Sequence, residues 1–254
     1  MAAGAESGSA QVRGDLSIAD LATALARGWR DFLARPQYGL FFALFYVATG
    51  LGLYYLLMVR GETMWLIAAV AGFTLFAPFA AVGLYEVSRR LEEGLPTSWG
   101  EVLGALRGRG DDQLLLMGGI IFVGFSFWVI IAHMIFAIFA SAAGLGEGMA
   151  FLTSEMGLTM LAVGGAIGAA IAFVFYAITL MSLPMLVDRD VDFITAIITS
   201  FKALSANFGV LLVWAFVIAL TLFAAILPFF LGLFVALPVL GHATWHLYRR
   251  LINA

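Results

Sequence analysis

Apolar residues fall in long unbroken blocks, separated by short charged stretches. Five runs contain no Asp, Glu, Lys or Arg: residues 36–59, 63–85, 113–146, 156–187 and 203–248. A helix rises ~1.5 Å per residue and the hydrocarbon core of a bilayer is ~30 Å thick, so about 20 residues cross it. Each of the first four runs is one span. The fifth has 46 residues; as one helix it would be roughly 70 Å long at that rise, so it must fold back. Pro228, followed by Phe229, Phe230 and Gly232, marks the turn. The pattern predicts six transmembrane helices, at about 38–59, 63–85, 114–141, 157–187, 208–226 and 229–248. The runs are continuous rather than alternating, which excludes a β-barrel.

Shorter helical patterns precede the odd-numbered spans. Ile18, Leu21, Leu25, Trp29 and Phe32 recur at spacings of three and four, with Ser17 and Asp20 as a capping box. Trp99, Val102, Leu103 and Leu106 repeat the pattern behind Ser98 and Glu101, and Phe193, Ile197, Phe201 and Leu204 repeat it behind Asp192. Arg27, Arg30, Arg107 and Lys202 lie off these stripes. Such helices suit a membrane interface, apolar side down and basic side toward anionic headgroups. The plainer alternative is that they pack on the cytoplasmic end of the bundle. The expected architecture is therefore all-α and polytopic: three helical hairpins, each preceded by a cytoplasmic amphipathic helix. Residues 1–16 read as a disordered tail and residues 17–254 as one six-helix domain. The even spans carry Pro78, Pro184 and Pro238, and Arg-Arg-Leu follows the first and last at the same distance (89–91 and 249–251).

Charge sets the orientation. The cytoplasmic side of a membrane protein is marked by lysine and arginine. Twelve of the 13 basic residues fall in the N-terminal segment, the 2–3 loop, the 4–5 loop and the tail, and Arg60 alone falls opposite. Both termini are therefore expected in the cytoplasm, in a bacterial inner membrane. No cleavable signal is expected, because residues 1–16 lack an apolar core. Composition adds exclusions: 63% hydrophobic, 11% charged and a mean hydropathy of +1.03 exclude a soluble domain, a disordered chain and a nucleic-acid binder. The absence of cysteine removes disulfides, thiolate metal sites and cysteine nucleophiles.

Candidate chemistry is sparse. No charged residue lies inside an expected span, whereas ion-coupled transporters usually keep one there. His242 and His246 share a helical face at a spacing that can bind metal, and a polar pair snorkelling to the interface is the plainer reading. His133 reads as an interhelical hydrogen bond. The acidic cluster Asp188, Arg189, Asp190 and Asp192 could hold a divalent cation with a phosphate, or supply helix caps and ion pairs. Gly164-x-x-x-Gly168 allows close helix approach.

The stretch LPMLVDRDVDFITAIITSFKALSANFGVLLVW, Leu183–Trp214, is similar to a hallmark of an uncharacterised bacterial integral-membrane family, domain of unknown function 2189. GWRDFLARPQYGLFFAL, Gly28–Leu44, resembles it too. Leu183-Pro184, Asp188, Ala196 and Ser200 carry a looser resemblance to the membrane domain of glycerophosphodiester phosphodiesterases. The resemblance implies six spans and no assigned activity.

These readings together predict a non-enzymatic membrane protein with no cofactor, serving as an accessory or scaffold subunit or an assembly factor. Its partners would be phospholipid or a larger membrane complex, respiratory or photosynthetic. The expected contact residues are Trp29, Arg30, Trp99, Arg107, Phe201 and Lys202. The alternative is a small-molecule or lipid transporter with a cytoplasm-facing cavity near the prolines.

Overall fold

The computed structural model describes residues 11–60, 80–105, 112–143 and 153–252. All regular structure among them is helical, apart from one isolated bridge between Val12 and Ile252. The helices are α1 (Ile18–Ala34), α2 (Pro36–Tyr54, continued by a π turn over Tyr55–Val59), α3 (helical at residues 80–92), α4 (Trp99–Gly104), α5 (Gln113–Ala143), α6 (Glu155–Asp188), α7 (Phe193–Ala206), α8 (Phe208–Ile226) and α9 (Leu233–Leu251). Four are long and apolar enough to cross a membrane: α2, α5, α6 and α8. The chain is a multi-pass integral membrane protein. Most of the expected second span, with Pro78, lies outside the described residues. The expected sixth coincides with α9, which is not among the four.

Local sequence sets most helix ends. Ser17 and Asp20 form the expected capping box of α1, and Ser98 and Glu101 that of α4. Asp192 caps α7 by accepting from the Thr195 amide at 2.8 Å. Pro36 opens α2 at the first helical position, where a missing amide costs nothing. The expected turn after Pro228 is present. Phe229 and Phe230 adopt left-handed backbone there (φ 52° and 65°), a conformation costing of order 1–3 kcal/mol without glycine. It lays the Phe230 ring against Gly50, where a Cβ would be 2.5 Å from it.

α9 is the centre of the fold, and glycines let its neighbours close on it. A Cβ on Gly28 of α1 would lie 2.6 Å from the Ala243 amide nitrogen, and one on Gly39 of α2 2.6 Å from Pro238 Cβ. Gly241 of α9 itself would meet Leu84 of α3 at 2.7 Å. Small residues at helix interfaces exchange side-chain volume for close backbone approach. α1 accordingly buries Leu21, Ala24, Gly28 and Phe32, while Ile18, Trp29 and Leu33 stay exposed. α7 buries Ala196, Thr199, Ser200 and Ala203, and leaves Ile194, Ile198 and Phe201 out. Of the expected stripes, Leu21, Phe32 and Leu204 are buried, Leu25, Phe193 and Ile197 pack against the core, and Ile18, Trp29 and Phe201 point outward. Each is packed on the bundle and also presents apolar side chains outward.

Ser200 enters the backbone of α6. Its hydroxyl accepts from the Met181 amide at 3.1 Å and donates to the Ala177 carbonyl at 2.7 Å. Those two groups are residues i and i−4 of the helix ladder, so the Ser200 hydroxyl bridges one rung of α6 just before Pro184.

Residues 11–16, read from composition as tail, lie along the end of α9. Arg13 donates its amide to the Leu251 carbonyl at 2.9 Å, and the Leu16 amide donates to Asn207 Oδ1 at 3.1 Å. Leu16 is buried.

Candidate functional site

Three helices converge on a buried polar cluster. α1 contributes Asp31, α3 contributes Ser88, and α9 contributes His242 and His246. The two histidines lie on the inward face of α9, where its packing against α1 and α3 shuts out water; Ser88 and His242 have no exposed surface. Ser88 Oγ donates to Asp31 Oδ2 at 2.7 Å and lies 2.8 Å from His242 Nδ1. His246 Nε2 lies 2.7 Å from the same Asp31 oxygen.

Proton counting orders the cluster. Burial raises the Asp31 pKa, but the hydrogen bonds from His246 and Ser88 lower it by more, leaving it below the ordinary carboxylate value. A charged Asp31 can only accept. It therefore takes the one Ser88 hydroxyl proton and the His246 Nε2 proton, and His242 Nδ1 must donate to Ser88. Two ring nitrogens, His242 Nε2 and His246 Nδ1, are sealed without a partner. The arrangement clamps α1, α3 and α9 together. It differs from an exposed pair snorkelling to the interface, as the i, i+4 spacing alone suggested. Among the described residues no three of His, Asp and Glu gather as a metal-binding group.

Around this cluster runs a collar of ion pairs. Arg89 binds Glu86 through two nitrogens (2.7 and 2.8 Å) and Glu93 through a third (2.6 Å). The Glu86 hydrogen bonds hold the Arg89 pKa above its usual value against its burial. Arg90 reaches Glu86 at 2.6 Å and Glu101 at 2.8 Å. Arg249 bridges Glu92 and Asp188, each at 3.3 Å. Arg250 holds Asp20 at 2.9 Å and Asp15 at 3.1 Å, and the hydrogen bonds from Arg250 and Arg13 lower the Asp15 pKa to about 2. The two Arg-Arg pairs spaced alike from Pro78 and Pro238 thus both end in this collar.

The structure places the other expected residues as follows. Asp188 accepts from the Tyr248 hydroxyl at 2.8 Å and from Arg249. Arg189 is 3.4 Å from Asp188, Asp190 is exposed, and Asp192 is the α7 cap. The cluster is therefore split between collar and cap. Trp29, Arg30, Phe201 and Lys202 are exposed, on α1 and α7. Trp99 is 40% exposed and stacks near Tyr38 and Phe41, with ring centroids 4.5 and 4.9 Å apart. Arg107 lies outside the described residues. His133 bonds the Val129 carbonyl of its own helix, at 2.9 Å, rather than a neighbouring one. Of the glycine pair, a Cβ on Gly168 would lie 2.9 Å from the Trp128 ring, whereas one on Gly164 would meet only Ile135, at 3.8 Å.

Sequence reasoning missed Asp31 and Ser88. A signal for Asp31 was present: Leu21, Ala24, Gly28 and Asp31 repeat at three, four and three, so the carboxylate sits on the small-residue face of α1. Ser88 carries no comparable mark.

An apolar cleft opens beside the cluster, with a volume of about 480 Å³. Phe125 and Trp128 of α5 form one wall, Phe175 and Leu183 of α6 another, and Tyr85 and Thr244 close the end next to the polar cluster. A second cavity of about 310 Å³ shares Tyr85 and Thr244 and continues toward Phe42 of α2.

Residues 66–188 match the model of a family described as predicted integral membrane protein (DUF2189). It is the family that the Leu183–Trp214 and Gly28–Leu44 stretches resembled. The match covers just under half of the chain and overlaps those stretches only at 183–188. No curated protein and no solved structure matches the chain.

Proposed function

We propose that this chain is a non-enzymatic protein of the bacterial inner membrane, crossing it six times with both termini in the cytoplasm. It acts as an accessory or scaffold subunit, or an assembly factor, in contact with phospholipid or a larger membrane complex. One observation carries the reading: the outward faces of the long helices are apolar and unfilled. Phe127, Ile130, Met134 and Ile138 of α5, and Phe216, Leu220 and Phe223 of α8, are each more than half exposed. In a bilayer such faces meet lipid tails or another protein's spans. The non-enzymatic part is supported by Ser88, among the described residues the one serine set between a carboxylate and an imidazole, being fully buried. Isolation from the native membrane in mild detergent, with quantification of co-purifying proteins and lipids, tests the role. A partner or lipid at constant molar ratio is expected. Chain that always runs alone and lipid-free would overturn it.

The transporter alternative draws on the cleft, which reaches Leu183, next to Pro184. Its apolar walls favour lipid over a polar solute.

A further inference from the structure

The cleft has the polarity gradient of a membrane lipid. It follows α6 from Leu183 to Gly168, a distance of ~22 Å at 1.5 Å per residue. One leaflet of the hydrocarbon core is ~15 Å deep, so an acyl chain fits lengthwise. The deep end is wholly apolar, with Phe125, Trp128, Ile171 and Ala172. The other end abuts the charged collar. Tyr85 precedes the ion-paired Glu86, and Thr244 lies between His242 and His246.

Tyr85 is the telling residue. It is 6% exposed and lines both cavities, and its hydroxyl is not among the buried polar atoms sealed without a partner. The other hydroxyls of the cleft are committed. Tyr176 donates to the Leu211 carbonyl, Thr179 to the Phe175 carbonyl and Thr244 to the Leu240 carbonyl. Tyr85 is thus the cleft hydroxyl left to donate to an acceptor that enters the cleft. The volume lies within the range of roughly 300–1,000 Å³ found for ligand sites.

We propose that the cleft holds one acyl chain of a phospholipid, with the ester carbonyl accepting from the Tyr85 hydroxyl and the chain running down to Trp128. This rests on the reading of the protein as lipid-contacting, and gives that contact a place and a chemistry.

Native mass spectrometry of the full chain, released from detergent, tests it. Delipidated protein is titrated with palmitoyl-oleoyl phosphatidylglycerol in one arm and palmitic acid in the other. The wild type should retain one phospholipid and no preference for the free acid. Tyr85→Phe removes one hydrogen bond and should weaken retention about fivefold. Ala172→Trp fills the cleft and should abolish retention, with circular dichroism and melting temperature confirming that both variants fold. Equal retention in all three proteins would overturn the cleft while leaving general lipid contact standing. Tyr85-dependent retention of palmitic acid alone would overturn the phospholipid assignment. If the co-isolation experiment fails but the cleft retains phospholipid, the accessory role falls and the site remains.

Discussion

Gly28→Ala separates two accounts of α1. If the helix floated at the membrane interface, alanine would raise helix propensity by about 1 kcal/mol and stabilise the protein. The structure requires the opposite. The new Cβ would lie 2.6 Å from the Ala243 nitrogen, 2.7 Å from the Val239 carbonyl oxygen and 3.0 Å from the Ala243 Cα. All three are backbone atoms of α9, so no side chain can rotate away, and α1 itself must move. Overpacking typically costs 1–3 kcal/mol; a rigid backbone contact belongs at the upper end, about 3 kcal/mol. Subtracting the propensity gain leaves a loss of about 2 kcal/mol. At roughly 2–4 °C per kcal/mol for a chain of this size, the melting temperature falls by about 4–8 °C. Far-UV circular dichroism in detergent measures it. Gly119→Ala is the control, because a Cβ there meets nothing within 4 Å; it should melt at or slightly above the wild type. A Gly28→Ala protein melting as high as Gly119→Ala would refute the packed α1 and the site built on it.

Two further outcomes follow from the charged end. Arg89→Leu takes the bidentate partner from Glu86, itself 5% exposed, and leaves it Arg90 alone; loss of hydrogen bonds to a charged group costs about 1.5–3 kcal/mol, so less folded protein should be recovered from membranes, as gel-filtration yield would show. The Asp31 pKa is held below its unfolded value of 3.8, so its contribution to stability is complete above that pH and is lost as pH falls through the lower folded value. Melting temperature should therefore drop steeply below about pH 4, and Asp31→Asn should melt lower at neutral pH with a flatter acid limb. Parallel limbs for the two proteins would refute the charged cluster.

Much of this architecture was legible in the sequence, because lipid imposes length and apolarity on any helix that crosses it. The runs at 36–59, 113–146 and 156–187 became α2, α5 and α6, and Pro228 marked the turn between α8 and α9. Caps at Ser17, Ser98 and Asp192 were readable since each satisfies amides only a few residues away. The packed faces were legible in part. Leu21, Phe32 and Leu204 of the expected stripes are buried, but the same faces also carry the small residues Ala24, Gly28, Ala196 and Ala203, which a stripe of large apolar residues does not mark. The polar cluster was hidden for a different reason. His242 and Asp31 are 211 positions apart, and neither shows locally that Ser88 will join them. Ser200 looked like one element of a family spacing, and its insertion between Ala177 and Met181 depends wholly on how α7 meets α6.

The proposed orientation puts the charged end of the bundle in the cytoplasm. The chain has no cysteine, so single cysteines can report sidedness directly. Arg60→Cys and Glu155→Cys belong to the far side of the bundle, and Arg30→Cys and Asp190→Cys to the charged end. A membrane-impermeant maleimide applied to intact cells should label the first two, and the second two only after permeabilisation. Labelling of Asp190→Cys in intact cells, with Arg60→Cys protected until permeabilisation, would contradict the account.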